Sequence, residues 1–288
     1  MSGLGVALVV ASLVLLLTLA YWQMIIAEGA YFGARVVAWT YDLVASRYDA
    51  IKQFVPKNES WFVAAPLLGE LREVERPLVL DVATGTGRLP LALLQERFRG
   101  QIVGLDLSRG MLRQARRKLA GYRDQVSLLW DDASQLPFAD GTFDAVTCLE
   151  SLEFMPHPRQ VLSEMVRVLA PGGVLFVTNR VGYEARLLPR RAISRPDFER
   201  VLADLPLSVF QVRRWQVNYD QAFARKSGEP GTGAGQGEAL EDLLRCPACG
   251  GSVQRGVAAY SCHECGQAYP IRDGVVLLAG RGGREAIQ

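Results

Sequence analysis

The chain has 288 residues, room for one main domain and small additions. With 32 Lys and Arg against 30 Asp and Glu it is nearly neutral, and no basic run is interleaved with aromatics, so charge lends no support to nucleic-acid binding. Hydrophobic residues make up 49% and the mean hydropathy is +0.10, high for a purely soluble enzyme, with the excess at the N-terminus. No charged side chain occurs from Met1 to Ala27, and Leu4 to Ala20 is almost continuously Leu, Val and Ala. About 20 apolar residues cross a bilayer as a helix, and Tyr21 and Trp22 suit the interface, where amphipathic rings collect. A signal peptide would need a basic n-region and a small-residue cleavage site, and neither is found. A buried core helix would be shorter and less uniform. Residues 1–27 are therefore expected to be a single-pass transmembrane anchor. Arg35, Arg47 and Lys52 mark the cytoplasmic side, where the catalytic domain would lie.

Residues 28–76 are expected to be a helical cap region. In it Tyr41-Asp42 and Tyr48-Asp49, seven residues apart, would share nearly one helix face. The next segment carries the densest information. Leu78-Val79-Leu80 stops at Asp81, a tight Ala83-Thr84-Gly85-Thr86-Gly87 turn follows, a helix begins near Arg88, and Ile102-Val103 leads through Gly104 to Asp106. Strand, glycine turn, helix, strand and carboxylate form the first half of a doubly wound nucleotide-binding fold. Gly85 and Gly87 let the backbone turn sharply and a ligand come close. Asp106 stands where it can accept both hydroxyls of a ribose. Ala83 replaces the first glycine of the dinucleotide fingerprint and no third glycine follows, which counts against a pyrophosphate ligand. No phosphate-loop motif occurs, which disfavours an NTPase.

Further strands are expected at 126–130, 143–148 and 174–179. The fold class is thus α/β, a doubly wound Rossmann-like sheet over residues 77–227, ending in a terminal antiparallel hairpin over Ser208–Lys226. Arg195 to Leu205 reads as a helix capped by Ser194. Arg113, Arg116, Arg117 and Lys118 read as a solvated helix face, and Cys148 as a small buried hydrophobe. Residues 228–237 are a flexible linker by composition, so the segment beyond it, 238–280, is expected to fold apart from the sheet. That segment holds Cys246-Pro-Ala-Cys249 and Cys262-His-Glu-Cys265, two C-x-x-C pairs with twelve residues between them, the spacing of a zinc ribbon. Four thiolates leave no position for water, so the zinc is expected to be structural. Gly250 and Gly266 would let each knuckle curl, and His263 is expected at the surface. Disulfides are the alternative, disfavoured in a cytosolic setting.

The run Asp81-x-Ala83-x-Gly85-x-Gly87, followed by Gly104-x-Asp106-x-Ser108, resembles the class I S-adenosylmethionine (SAM) methyltransferases. Trp130 to Phe138 and Phe143-Asp144-Ala145-Val146 are similar to the D-A-x-x-L-P-F…F-D-x-V run of the subgroup that includes the quinone-biosynthesis C-methyltransferases. Arg167-Val168-Leu169-Ala170-Pro171-Gly172-Gly173 resembles that subgroup's turn into the fifth strand. The resemblance covers residues 77 to 180 and implies SAM as cofactor. It implies that Asp81 orients the methionine end, that Ala83, Gly85 and Gly87 line the backbone turn, and that Asp106 takes the ribose. Leu107 and Met111 would flank the adenine, Asp132 would accept from its amino group, and Ala133 would offer a backbone N–H. In that subgroup a Y-D-x-x-A-x-x-Y-D helix, matched by Tyr41 to Asp49, covers the SAM pocket, although an amphipathic helix with aromatic packing has the same pattern. The loop from Leu149 to His157 would face the acceptor. Its titratable groups Glu150, Glu153 and His157 are the candidate bases, against a capping acid or an ordinary loop residue. The run from Cys265 to Leu278 resembles the tail of the small zinc-ribbon family that activates tRNA and protein methyltransferases, with Val276 in place of the usual proline.

Two functions compete. One is a membrane-tethered methyltransferase acting on a small-molecule or lipid acceptor such as a quinone or isoprenoid. The other is an RNA or protein methyltransferase whose ribbon grips a macromolecule, against which the weak net charge and the anchor weigh. A SAM-binding scaffold without activity is disfavoured by the intact acids and glycines. No feature specifies an oligomeric state.

Overall fold

Leu78–Val82 is buried at every residue, as a strand covered on both faces requires. In the computed structural model, which describes residues 2–229 and 238–278, it is β1. With β2 (Gln101–Asp106), β3 (Val126–Trp130), β4 (Phe143–Cys148) and β5 (Leu169–Arg180) it forms a parallel sheet in the order β5-β4-β1-β2-β3. The hairpin β6 (Leu207–Gln216) and β7 (Tyr219–Lys226) closes antiparallel on β5. This is the doubly wound sheet with a terminal hairpin that the pattern predicts. Side chains alternate across it: Leu78, Leu80 and Val82 join one core with Val103, Val146 and Leu162, while Val79 joins the other with Leu93, Ile102 and Phe176. Ser194 caps the helix Arg195–Ala203 by accepting from the Asp197 N–H.

The expected linker lies outside the described residues from 230 to 237, as do residues 279–280 of the expected ribbon. The ribbon itself, β8 (Val253–Arg255), β9 (Ala259–Cys262), β10 (Ala268–Arg272) and β11 (Val275–Leu277), does not stand apart from the sheet. Strand β11 pairs in parallel with β3, with Val275 opposite Leu128, Val276 opposite Leu129 and Leu277 opposite Trp130, and the sheet runs to eleven strands. Leu243, Leu244, Tyr269, Val276 and Leu278 share one core with Leu129, Leu136 and Phe138. The expectation of a separately folding attachment is thereby corrected. The edge of β3 would otherwise expose a row of unpaired N–H and C=O groups, and β11 covers it.

The cap is not one helix. Ala34–Val44 and Tyr48–Lys52 are separate helices, and Gln53 takes a left-handed φ of 52° before Pro56 opens Pro56–Glu59. Pro56 restricts the preceding Val55 to an extended backbone, which no continuous helix allows. At the N-terminus, Gly3–Ile26 is a 24-residue helical stretch whose most apolar part has a mean hydropathy of 2.6 and is wholly unburied, so it is long and apolar enough to cross a membrane. Its end is fixed to the domain. The Trp22 indole donates to the Leu187 carbonyl at 3.0 Å, the Tyr31 hydroxyl to the Pro189 carbonyl at 2.8 Å, and Arg191 to the Ala30 carbonyl at 2.6 Å.

The shared core sets an expectation for stability. Leu278→Ala, at a side chain only 1% exposed beside β11, should cost about 2–5 kcal/mol and lower the melting of sheet and ribbon together. Circular dichroism and tyrosine fluorescence should report one coincident transition. Two transitions, with only the smaller one moved, would contradict the shared core.

Candidate active site

At the carboxyl ends of β1, β2 and β4 the chain makes its sharpest turns. Ala83, Gly85 and Gly87 all have positive φ, of 56°, 55° and 78°. A Cβ on Gly87 would meet Leu119 Cδ1 at 2.9 Å, so this glycine is required by the packing of the following helix, Arg88–Gln95, against its neighbour. Around Gly85 there is open space instead, and that space is a cavity of about 340 Å³.

The cavity brings together most of the residues singled out in the sequence. Ala83, Gly85, Asp106, Leu107, Met111, Asp132 and Ala133 line it, as do Glu150 and His157. Asp81, Gly87 and Glu153 are not on its wall. Asp81 is 3% exposed and lies behind the turn, its carboxylate accepting from the Thr84 and Thr147 hydroxyls at 2.7 Å each. Asp106 is part of the turn's own architecture. One of its oxygens accepts from the Gly85 N–H and the other from the Ser108 N–H, both at 2.8 Å.

The cap supplies the facing wall with Ala34, Val37, Ala38, Tyr41 and Tyr48. Although the two tyrosines belong to different helices, their rings lie 5.7 Å apart and both reach the cavity. The aspartates beside them fasten the cap. Asp42 accepts from the Ser108 hydroxyl and the Gly110 N–H at 2.6 Å each, and Asp49 from the Thr86 hydroxyl at 2.6 Å and Lys118 at 2.7 Å. Lys118 therefore does not belong to a merely solvated face.

A second cavity of about 500 Å³ lies on the other side of Glu150, which lines both. Here the structure shows residues that the motifs did not reveal. Arg88 pairs with Glu59 and, at 2.6 Å, with Glu150, and its guanidinium stacks 4.4 Å from the centre of the Phe54 ring. Arg180 and Tyr219 also line this cavity. They hold the buried Glu153, whose Oε1 accepts from Arg180 Nε at 2.7 Å and from the Tyr219 hydroxyl at 2.6 Å. Glu153 is thus a wall brace joining the loop after β4 to β5 and β7. No spacing rule links Arg88, Arg180 and Tyr219, because only the folded sheet makes them neighbours. Glu150 sits at a left-handed φ of 53°, its N–H donating to Thr178 Oγ1 at 2.6 Å. That is a costly conformation for a residue other than glycine, found at this junction of two cavities.

Four sulfurs converge in the ribbon. Cys246, Cys249, Cys262 and Cys265 have their sulfurs within 4.8 Å of one another. Cys246 and Cys265 are 3.6 Å apart and Cys249 and Cys262 3.5 Å. A tetrahedral zinc with bonds of about 2.3 Å sets its sulfurs ~3.8 Å apart, whereas a disulfide would need about 2.05 Å, so the set fits the metal. Gly250 and Gly266 close the two knuckles at φ of 80° and 70°, and His263 is exposed. Cys148, fully buried, has its thiol pushed up to about 12 by that burial.

Three carboxylates on or just behind the wall of the first cavity are costly to ionise. Burial raises Asp81 and Asp106 to about 6 against the hydrogen bonds that favour their charged forms, and raises Asp131 to about 8. An acid whose folded pKa lies above its unfolded one makes the folded state the better proton binder, so stability falls as pH rises between the two values. Ligand-free protein should therefore lose stability as pH climbs from about 4 towards 8, with Asp131 carrying the upper part of that window. Asp131→Asn should flatten the slope between pH 6 and 8. Denaturant midpoints across that range test this, and equal slopes in the two proteins would refute it.

Comparison with known proteins agrees with this geometry. Residues 79–173 match the model of a methyltransferase domain and residues 238–274 that of a Trm112p-like protein. A demethylmenaquinone methyltransferase of Clavibacter sepedonicus is 38% identical over 148 residues, covering 49% of this chain and 56% of that protein. A ubiquinone/menaquinone biosynthesis C-methyltransferase of Desulfotalea psychrophila is 35% identical over 135 residues, 46% of this chain and 53% of that protein. The chain spans about half the length of the curated relatives it matches. Among solved structures, the [4+2]-cyclase SpnF shares the fold at a TM-score of 0.57 and 19% identity, covering 68% of this chain and 97% of that one. A chain from a complex between the Haloferax volcanii Trm112 methyltransferase activator and a methyltransferase does so at 0.54 and 20%, covering 66% and 97%. The part of the sheet that carries the glycine turn is thus similar to a methyltransferase domain, and the four-cysteine ribbon to a Trm112p-like protein.

Proposed function

We propose that this chain is a SAM-dependent methyltransferase held at a membrane by its N-terminal helix and acting on a small, lipid-soluble acceptor of the quinone, isoprenoid or lipid type. The observation that carries the reading is the first cavity, where the glycine turn, Asp106, Met111 and Asp132 face an aromatic cap. The quinone-biosynthesis names of the relatives support the acceptor class. The ribbon's strand β11 is already paired within the chain, so it is not a free edge for gripping a macromolecule.

When bound, SAM supplies a methyl carbon on a sulfonium, whose carbon–sulfur bond breaks with its electron pair left on sulfur as the acceptor's bond forms. The chain's residues align and exclude water. Asp106 would take the ribose hydroxyls, Asp132 the adenine amino group and Ala133 the ring through its N–H, with Leu107 and Met111 beside the adenine. Asp81 orients the methionine end from behind the turn, together with Ala83, Gly85 and Gly87. Glu150 lies between the two cavities and, with His157, is the group to receive a proton when the acceptor is a phenol or an enol-like carbon. Glu153 keeps the wall in place. Cys246, Cys249, Cys262 and Cys265 hold a structural zinc that takes no part in the reaction.

Two measurements test this. Asp106→Ala should weaken SAM binding roughly a hundredfold or more in calorimetric titration, because two charge-assisted hydrogen bonds and the brace on Gly85 are lost together. Unchanged affinity would end the cofactor assignment. Full-length protein should stay with membranes through salt and alkaline washes, as an uncharged, mainly apolar helical stretch of 24 residues requires. Release by salt alone would end the anchor assignment and leave SAM binding standing.

A further inference from the structure

The cap has an outer face that a water-soluble domain would not show. Helix Ala34–Val44 turns Ala34, Val37, Ala38 and Tyr41 to the first cavity. The opposite stripe of a helix in that position is ordinarily polar. Here it carries Trp39, 53% exposed, and Leu43, 64% exposed. Elsewhere on the cap Ile51, Trp61 and Phe62 are also exposed, at 60%, 68% and 56%, as is Phe32 ahead of it, at 65%. Exposed apolar surface of this extent marks an interaction site.

Two observations point to what covers it. The first is continuity. The apolar N-terminal helix ends at Ile26, and the eight residues from there to Ala34 reach at most about 28 Å even when extended. They are in fact folded back through Gly29 and Gly33 and pinned by Trp22 and Tyr31 to residues 187–189. The second is charge. Residues 28–62 contain four acids, and all four are engaged within the chain: Glu28 by Tyr41, Asp42 by Ser108 and Gly110, Asp49 by Thr86 and Lys118, and Glu59 by Arg88. The basic side chains Arg35, Arg47 and Lys57 of this region are exposed. Aromatic rings with basic residues among them are the composition of a surface lying in a lipid interface.

We propose that this face is inserted in the headgroup layer of the same bilayer that holds the N-terminal helix, with anionic lipid headgroups beside the basic residues. The proposal rests on the reading of that helix as an anchor. Its consequence is a route for the acceptor. Val55 and Phe62 of the cap and Val217 of the β6–β7 turn line the second cavity and are 48%, 56% and 80% exposed, so they stand at its mouth. A mouth at the level of the headgroups takes its acceptor sideways from lipid, without passage through water.

The test uses the full chain, reconstituted in phosphatidylcholine–phosphatidylglycerol vesicles whose acyl chains are brominated just below the headgroups. Trp39→Phe/Trp61→Phe is compared with wild type. Neither residue lines either cavity, so retained SAM binding reports an intact fold. Wild type should lose a component of its fluorescence to the brominated lipid that is missing in the double variant, and aqueous iodide should not reach that component. Quenching of it by iodide and not by brominated lipid would put the face in water and overturn the proposal. Quenching by neither would show the face covered by protein, a second copy or another partner, and would overturn it too. In both cases vesicle retention through alkaline washing would leave the anchor intact, whereas loss of the chain from the vesicles would overturn both readings together.

Discussion

The site depends on one arrangement: a carboxylate that collects backbone N–H groups from two separate turns. Asp106 accepts from Gly85, in the turn after β1, and from Ser108, in the turn after β2, so neither turn is free to adjust without the other. Ser108 then passes its hydroxyl to Asp42, which also takes the Gly110 N–H. The cap, the glycine turn and the second strand are joined by this short series of acid-to-donor bonds. Burial works against it, raising Asp106 well above an ordinary carboxylate, and the donors hold the charge in place.

What was legible in the sequence was what local pattern decides. Continuous apolar runs ended by Asp81 and Asp106 gave their strands away, because a fully buried parallel strand has no alternation to hide behind. The cysteine spacing similarly placed four sulfurs within reach of one ion. The paired Tyr-Asp repeat was half legible: both tyrosines face the cavity and both aspartates reach the helix Arg109–Lys118, but the chain breaks into two helices at a turn over residues 45–47. The roles of Arg88, Arg180 and Tyr219 were not legible, since each depends on strands far apart in sequence lying side by side. Glu153 looked like a loop acid and is instead a brace, for the same reason.

The ribbon's place in the sheet was hidden by its own composition. A Gly-rich stretch before it suggests independence, and its four thiolates suggest a self-sufficient fold. Yet its last strand is buried against β3, and the Leu278 N–H donates to the Trp130 carbonyl immediately before Asp131 and Asp132. Folding energy that a metal on the four cysteines would supply, and folding energy gained from the sheet, would therefore bear on the same residues at the edge of the first cavity.

The docking of Trp22 and Tyr31 onto residues 187–189 bears on how the molecule moves. A loosely tethered enzyme tumbles, and most of its collisions with a neighbour present the wrong side. With the N-terminal helix spanning a bilayer, as proposed, a body fixed to it would keep a constant height and tilt, with spin about the membrane normal as its main rotational freedom. Encounter with a partner confined to the same plane would then become lateral diffusion.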